Sequence, residues 1–481
     1  MAGIKNILQR GFNMGNRESE LKHSLKTRHV TMISIGGVIG AGFFMGSGTM
    51  IDSSGPGAII SYVIAGLLIV LIMRMLGEMA AVNPDSGSFS TYAHQALGPW
   101  AGFTIGWLYW FNWIIIVTFE ATLLGEILHN WVPSIPVWVG SVFFPIFMAL
   151  SNAFSVKVYG EFEYWLAFIK VASISIFLGL GAAIIMGIVP GVKAQGLSEI
   201  MSGGNFFPHG LSPVFLGVIF ITFSISGSEV AAIAAGESNN PEKNIIRAIN
   251  SVVWRLLIFF IGSVTVLVLV IPQGAKKMLE TPFASVFEMA GLPAAGQIMN
   301  IIIFISMLSV LNSGLYTSSR MLYSLSIKGD APKFISIVTK RGIPIWALIA
   351  GVIFTYVFTL FKFVAPDTLF KFLADSSGGV TLIMYVFIAI SHIRMRKKAE
   401  KENPDTLKIK MWLFPYLTYA TILGVCIVYV VQAFIESMQS QFYLTSILTV
   451  IIISIYFLFY YRKGKVSSKL TDETLNEVRP K

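Results

Sequence analysis

Two clusters of glycine and serine fall inside apolar runs where a membrane helix would otherwise continue. The stretch SIGGVIGAGFF, from Ser34 to Phe44, carries glycine at positions 36, 37, 40 and 42. Each glycine weakens a helix by about 1 kcal/mol relative to alanine. The second stretch, VIFITFSISGSEVAAIAAGE, has Ser224, Ser226, Gly227 and Glu229 at its middle. Both stretches predict a helix that is broken at membrane depth.

A close-packed helix face is the alternative interpretation of the first cluster. Gly36 with Gly40, and Gly42 with Gly46, fit the G-x-x-x-G spacing by which membrane helices approach each other. A dinucleotide-binding loop is excluded because no strand precedes the glycines and the last of them comes one position late. Transporters built from two repeats carry a broken helix in each repeat. The second cluster therefore favours broken helices over packing alone.

The peptide groups exposed at such breaks suit a small zwitterion. Free N–H groups at the start of a half-helix favour an anion, and unwound carbonyls favour a cation. We therefore expect the carboxylate of an amino acid to bind the N–H groups of Gly40, Ala41 and Gly42. The carbonyls expected to receive its amino group lie near Val38, Phe223 and Ser226.

Three ionisable residues within apolar runs are functional candidates, because a charge at membrane depth is costly. Lys170 has three outcomes: it pairs with a carboxylate, binds carbonyls or loses its proton. A lysine that changes protonation would couple a proton to transport, whereas a permanently charged one would only bridge two halves of the protein. Glu120 is equally well explained as a proton carrier or a structural partner. Glu229 is expected to bind the substrate amine or gate the pathway, with helix capping as the alternative.

Other polar residues in these runs have simpler explanations. Arg74 and Glu78 lie four residues apart on one helical face and are predicted to form a structural ion pair. The aromatic set GWLYWFNW is expected mainly to pack or to form an interface belt. Asn112 within it is a pocket candidate, because a buried amide needs partners. No residue spacing indicates a metal site or a catalytic nucleophile, so we expect no metal, no cofactor and no enzyme activity.

The composition is that of a polytopic membrane protein. Of 481 residues, 55% are hydrophobic and 12% are charged, whereas about a quarter are charged in soluble proteins. An apolar run of about 20 residues spans a bilayer. We predict an all-α polytopic membrane protein with about twelve transmembrane helices. The runs lie near 31–51, 57–82, 100–129, 136–156, 160–189, 211–235, 246–271, 297–325, 344–363, 369–392, 411–435 and 443–461.

The breaks fall in the first and sixth runs, which divides the chain into two repeats of five helices. Because each repeat has an odd number of spans, the second is inverted relative to the first. The sequence thus predicts a five-plus-five inverted repeat with broken helices 1 and 6. The expected parts are a basic N-tail at 1–30, repeats at 31–189 and 211–392, helices 11 and 12 at 393–462, and a C-tail at 463–481.

Positive charge lies mainly on one side of the predicted membrane. About 27 of the 35 Lys and Arg residues fall on the side of the two tails, and about five fall on the other side. Both tails are therefore expected to be cytoplasmic. The net charge of +10 reports this topology, so the expected partner is the lipid bilayer and not a nucleic acid. The polar N-tail has no apolar core, so insertion is expected to depend on the first helix and not on a signal peptide.

Six motifs in this order resemble bacterial amino-acid permeases of the amino acid–polyamine–organocation superfamily, and among them the gamma-aminobutyrate permeases. The resemblance implies a five-plus-five inverted-repeat fold and proton-coupled uptake across the plasma membrane. It implies binding at the breaks, with further contacts from Asn112, Ser376 and Ser377, and a coupling role for Lys170. The motifs are SIGGVIGAGFFMGSG, MRMLGEMAAVNPDSGSF, GPWAGFTIGWLYW, GEFEYWLAFIKV, FSISGSEVAAIAAGESNNP and LNSGLYTSSRMLYSLS.

The sequence therefore predicts a proton-coupled secondary transporter that works by alternating access. Its expected substrate is a small neutral amino acid or gamma-aminobutyrate. An amino-acid sensor or exchanger on the same scaffold is the alternative. A channel and a membrane-embedded enzyme are further rivals, of which the enzyme would need a convergent acid, base or nucleophile set.

Overall fold

The computed structural model describes residues 25–460, apart from 45, 193, 195–205, 226, 273–274, 276–280, 293, 366–367 and 369–370. Most of the predicted N-tail and the whole predicted C-tail lie outside the described residues. Ser226, a predicted binding residue, lies outside them too. Of Ala41 and Phe223 the backbone is described but the side chain is not.

The described chain is built from α-helices. The helices before residue 190 are α1 (Thr27–Gly36), α2 (Ala41–Phe44), α3 (Gly46–Ser54), α4 (Ala58–Val82), α5 (Ser88–Leu97), α6 (Pro99–Trp131), α7 (Val137–Phe154) and α8 (Val156–Ile185). The later helices are α9 (Ser212–Ser224), α10 (Val230–Gly236), α11 (Pro241–Leu256), α12 (Gly262–Val270), α13 (Pro282–Met289), α14 (Ala295–Ile327), α15 (Ile345–Val364), α16 (Lys371–Gly378), α17 (Val380–Glu402), α18 (Tyr416–Val431) and α19 (Gln439–Ile455). A π-helical turn, Leu257–Ile261, joins α11 to α12.

Nine helices among the described residues are long and apolar enough to cross a membrane. The predicted class, an all-α membrane protein, is thereby confirmed. The number of long helices is smaller than the twelve predicted runs because three of those runs are divided. The first is interrupted between α1 and α2, the sixth between α9 and α10, and the seventh contains the π-helical turn.

Glycine lies at the first and the second of these interruptions. Helix α1 ends at Gly36, and the chain becomes helical again at Ala41. Between α9 and α10, Gly227 has a φ of 111°, a conformation that residues with a side chain rarely adopt. Both stretches that were predicted to break are thus interrupted, and at the second the backbone conformation of Gly227 is the local cause.

Helix α14 lies at the centre of the packing, against α6, α7, α8 and α15. Small residues allow its neighbours to approach closely. A Cβ atom on Gly140 would lie 2.7 Å from the Cα atom of Gly125, so these two glycines let α6 and α7 meet backbone to backbone. Such contacts replace the hydrophobic driving force that helices lack in lipid.

The start of α1 is tied to the end of α10. Leu25 and Ser238 form an isolated parallel β-bridge. The N–H of Leu25 donates to the carbonyl of Glu237 at 3.3 Å, and the N–H of Asn239 donates to the carbonyl of Leu25 at 3.2 Å. The two interrupted regions are thus joined at this end of the bundle.

A buried ion pair lies beside this bridge. Arg320 Nε of α14 donates to Glu237 Oε1 at 2.9 Å, and both side chains are 1% exposed. The guanidinium carbon is 4.0 Å from the centre of the Tyr316 ring, and that ring stacks on Tyr159 of α8 with centroids 4.1 Å apart. The pair therefore connects the end of α10 to α14 and α8.

The predicted pair of Arg74 with Glu78 is replaced by other contacts. Glu78 accepts from Arg396 Nη1 at 2.7 Å and from the N–H of Met411 at 2.6 Å. Arg74 donates to the carbonyl of Lys410 at 3.1 Å. Glu78 is 2% exposed. Its buried carboxylate therefore binds groups from distant parts of the chain and not Arg74 on its own helix.

Removing Glu237 should destabilise the protein strongly. In Glu237→Ala the Arg320 guanidinium would stay buried without its partner, which costs about 3–5 kcal/mol. Lys398→Ala is the matched control, because Lys398 is 72% exposed in its ion pair with Glu402 and should cost less than about 1 kcal/mol. Thermal unfolding of the detergent-solubilised protein measures both. Equal melting temperatures for the two variants would contradict this account of the buried pair.

Candidate functional site

The two interruptions face each other inside the bundle. A Cβ atom on Gly227 would collide with the carbonyl oxygen of Gly37, and one on Gly42 would lie 2.9 Å from Ser224 Oγ. Glycine at 227 and 42 therefore allows the first interruption to contact the second. The sequence placed both at corresponding positions of two halves, and in the structure they lie side by side.

Lys170 binds the carbonyls that the first interruption releases. Its Nζ donates to the carbonyl oxygens of Gly36 and Ile39, each at 2.7 Å, and the residue is fully buried. Three outcomes were expected for Lys170, and in the structure it binds carbonyls. The ammonium thus supplies hydrogen bonds to backbone oxygens that the helix leaves open, which is the condition for irregular backbone inside a membrane.

Glu163 is a buried residue of the site that the sequence analysis missed. It lies seven residues before Lys170 on α8 and is fully buried. Its Oε1 accepts a hydrogen bond from Ser309, and its Oε2 accepts one from Asn312 Nδ2 at 2.8 Å. The spacing of Glu163 and Lys170 was a signal in the sequence, because two residues seven apart lie on the same face of a helix, about two turns from each other.

Glu120 of α6 approaches the first interruption from the other side. A Cβ atom on Gly40 would lie 3.1 Å from Glu120 Oε1 and 2.9 Å from Val310 Cγ2. Glu120 is 7% exposed. The structure therefore brings Glu120 and Lys170, both predicted for proton coupling, to the same interruption.

Glu229 is held within the second interruption. Its Oε2 accepts from the N–H of Gly227 at 3.1 Å, and its Oε1 accepts from the hydroxyl of Tyr109 at 3.1 Å. Its side chain does not cap α10 in the described structure. Tyr109, which the sequence analysis assigned mainly to packing, therefore belongs to the surroundings of the breaks.

A cavity of about 360 Å³ begins at the first interruption. It is lined by the predicted site residues Gly42, Glu120 and Ser377 and by one unpredicted carboxylate, Asp375. The remainder of its described lining is mostly apolar, contributed by Ile115, Ile116, Phe119, Leu123, Ile219, Phe220, Ala374, Gly378, Thr381, Leu382, Met438 and Gln441. Small-molecule sites have about 300–1,000 Å³, so this cavity suits a small solute.

Several predicted residues lie outside the described lining of this cavity. They are Val38, Gly40, Asn112, Lys170, Gly227, Glu229 and Ser376. Asn112 is 1% exposed, and neither atom of its amide has a hydrogen-bond partner among the described residues. Ser376 and Ser377 donate to the carbonyls of Phe372 and Ala374 in their own helix. The search of the described residues found no group of three or more His, Cys, Asp or Glu residues placed to hold a metal ion.

Comparisons with known proteins find similar chains that match nearly the whole length of this one. A family model described as amino acid permease matches residues 29–470. The chain is 50% identical to the gamma-aminobutyric acid permease of Bacillus subtilis (strain 168) over 97% of this chain and 99% of that protein. It is 44% identical to the gamma-aminobutyric acid permease of Escherichia coli (strain K12), over 90% and 93% of the two chains. It is 39% identical to a probable GABA permease of Pseudomonas aeruginosa, over 95% and 97%.

Neighbouring glycines should differ sharply in their tolerance of alanine. In Gly36→Ala the new Cβ would lie 2.5 Å from Glu163 Oε1 and 3.1 Å from Ala167 Cβ, an overpacking that costs about 1–3 kcal/mol. In Gly37→Ala the nearest atom would be 3.4 Å away, which is ordinary contact. We expect a lower melting temperature and reduced transport for Gly36→Ala, with Gly37→Ala close to the unchanged protein. The same loss in both variants would contradict the packing described here.

Proposed function

Because this chain belongs to the amino acid permease family, we propose that it imports gamma-aminobutyrate or a small neutral amino acid with a proton. As an amino acid permease it is a transporter and not an enzyme. The proposal adds to the family membership a substrate, a coupling ion and alternating access as the mechanism.

The cavity at Gly42 is the single observation that carries the proposed substrate. It joins a helix interruption, whose peptide groups suit one charged end of a zwitterion, to two carboxylates, Glu120 and Asp375, that suit the other. A solute with its charges far apart, such as gamma-aminobutyrate, would use both ends of such a site. The relatives at 50% and 44% identity carry that compound in their names.

Lys170 is the proposed site of proton coupling. Its ammonium binds the carbonyls of Gly36 and Ile39, so its charge is connected directly to the shape of the first interruption. Loss of its proton would leave two N–H donors but remove the positive charge, which would weaken both hydrogen bonds to these carbonyls. A change of protonation at Lys170 would therefore alter the backbone beside the substrate cavity, as coupling requires.

Alternating access is supported by the difference between the two ends of the bundle. The cavity is lined by the second halves of α6 and α9, by the end of α16 and by the beginnings of α17 and α19. At the opposite end, where α1 starts, the Leu25–Ser238 bridge and the Glu237–Arg320 pair close the structure. The proposal includes twelve spans, two inverted repeats and cytoplasmic termini. In that arrangement the cavity faces outward and the closed end faces the cytoplasm.

Uptake into membrane vesicles tests the proposed function. Vesicles containing the protein should accumulate labelled gamma-aminobutyrate when the outside is acidic, and a protonophore should abolish the accumulation. A competition panel of neutral, aromatic and cationic amino acids ranks the substrates. Uptake that requires internal amino acid and ignores the protonophore would favour the exchanger instead. Binding without any uptake would favour the sensor.

Lys170→Ala should separate accumulation from exchange. The variant is expected to lose proton-driven accumulation, because the proposed coupling group would be missing from the first interruption, while exchange of labelled for unlabelled substrate continues. Lys157→Ala is the control, since Lys157 lies on the same helix but is exposed. Full proton-driven accumulation by Lys170→Ala would reject the proposed role of Lys170.

A further inference from the structure

Glu163 and Lys170 meet at one glycine of the first interruption. The carbonyl oxygen of Gly36 accepts a hydrogen bond from Lys170 Nζ at 2.7 Å. On its other side, a Cβ atom on Gly36 would lie 2.5 Å from Glu163 Oε1. The absence of a side chain at Gly36 therefore lets a buried carboxylate and a buried ammonium approach the same peptide, although no direct bond joins them in the described structure.

The hydrogen bonds around Glu163 favour its charged form. Asn312 Oδ1 accepts from Ser151 Oγ at 3.0 Å and from Asn152 Nδ2 at 2.8 Å. These two donors fix the orientation of the Asn312 amide, so that its N–H group points at Glu163. A carboxylate that receives donors on both oxygens is suited to ionisation, but its donors are neutral, and a fully buried charge needs an opposite charge nearby.

Lys170 is the cation available for that purpose. The titratable groups around the pair are Glu120 on α6 and Tyr159 on α8 itself. Helix α14 presents the neutral Ser309 and Asn312, and α7 presents Asn152. Helices α12 and α13 pack against α8 through the apolar side chains Val266 and Phe283. Helix α1 contributes only its backbone carbonyls to Lys170.

We propose that Glu163 is the positioning residue that keeps Lys170 protonated at the first interruption, and so sets the pH range over which coupling operates. The inference rests on the proposed function, since it concerns the same proton. Glu163 does not contact the substrate cavity, whose described lining contains no residue of α8. Its effect must therefore pass through Lys170 and the backbone of Gly36.

The test is the pH profile of proton-driven uptake in Glu163→Gln and Glu163→Asp. Glutamine keeps the size of the side chain but removes its charge; its oxygen can accept from Asn312, and the Ser309 hydroxyl can turn to accept from its NH2 group. Without the nearby anion, Lys170 should release its proton more readily, and uptake by Glu163→Gln should fall off at a pH about one unit lower or more. Glu163→Asp retains the charge and should restore most of the original profile. Glu161→Gln is the control, because Glu161 lies on the same helix and pairs with Arg28 and His29.

Substrate exchange, measured in the same vesicles, distinguishes the outcomes. Retained exchange with a shifted uptake profile in Glu163→Gln supports the proposal, as does the absence of any further effect of Glu163→Gln on exchange in a Lys170→Ala background. An unshifted profile would overturn it. Loss of both exchange and uptake at every pH would make Glu163 a structural residue and overturn it equally. If the unchanged protein shows no protonophore-sensitive uptake, the proposed function fails independently of Glu163.

Discussion

The bond between an ammonium and two backbone carbonyls is the constraint around which this structure is arranged. A helix that stops inside a membrane leaves carbonyl oxygens without partners, each at a cost of several kcal/mol. Lys170 reaches the interruption from α8 and satisfies two of those oxygens, on Gly36 and Ile39. Its charge is in turn unfavourable in lipid. The interrupted backbone and the buried lysine therefore stabilise each other.

The glycines in and beside the first interruption matter to this arrangement because they have no side chain. Gly36 leaves room for Glu163, Gly40 for Glu120, and Gly42 for Ser224. Each missing side chain thus admits a polar group from a different helix. The helix-packing and helix-breaking interpretations of this stretch are both partly right, because the same residues end the helix and permit close contact. The packing partners are two buried carboxylates and a serine, together with the apolar side chains of Ala167 and Val310.

The sequence was sufficient to predict the membrane class, the interruptions and the isolated charges. Glycine content and hydropathy act locally, and so they can be read from a single sequence. The sequence was insufficient to predict contacts between residues of distant helices. Glu163 escaped notice because its partners, Ser309 and Asn312, follow some 150 residues later. Likewise Glu78 pairs across the bundle with Arg396 and not with the nearby Arg74. Asp375, which also lines the cavity, was not predicted because it lies in a short helix of weak apolar character.

The sequence separation of the lysine contact has a consequence for biosynthesis. Lys170 is synthesised 134 residues after Gly36, which at about 5–20 residues per second is a delay on the order of ten seconds. During that interval the first hydrophobic segment has left the ribosome, but the side chain that completes its backbone has not been made. The segment must therefore wait either in an aqueous part of the insertion machinery or as an unbroken helix. Its final shape is a late event in maturation, reached only when the fifth segment joins the bilayer beside it.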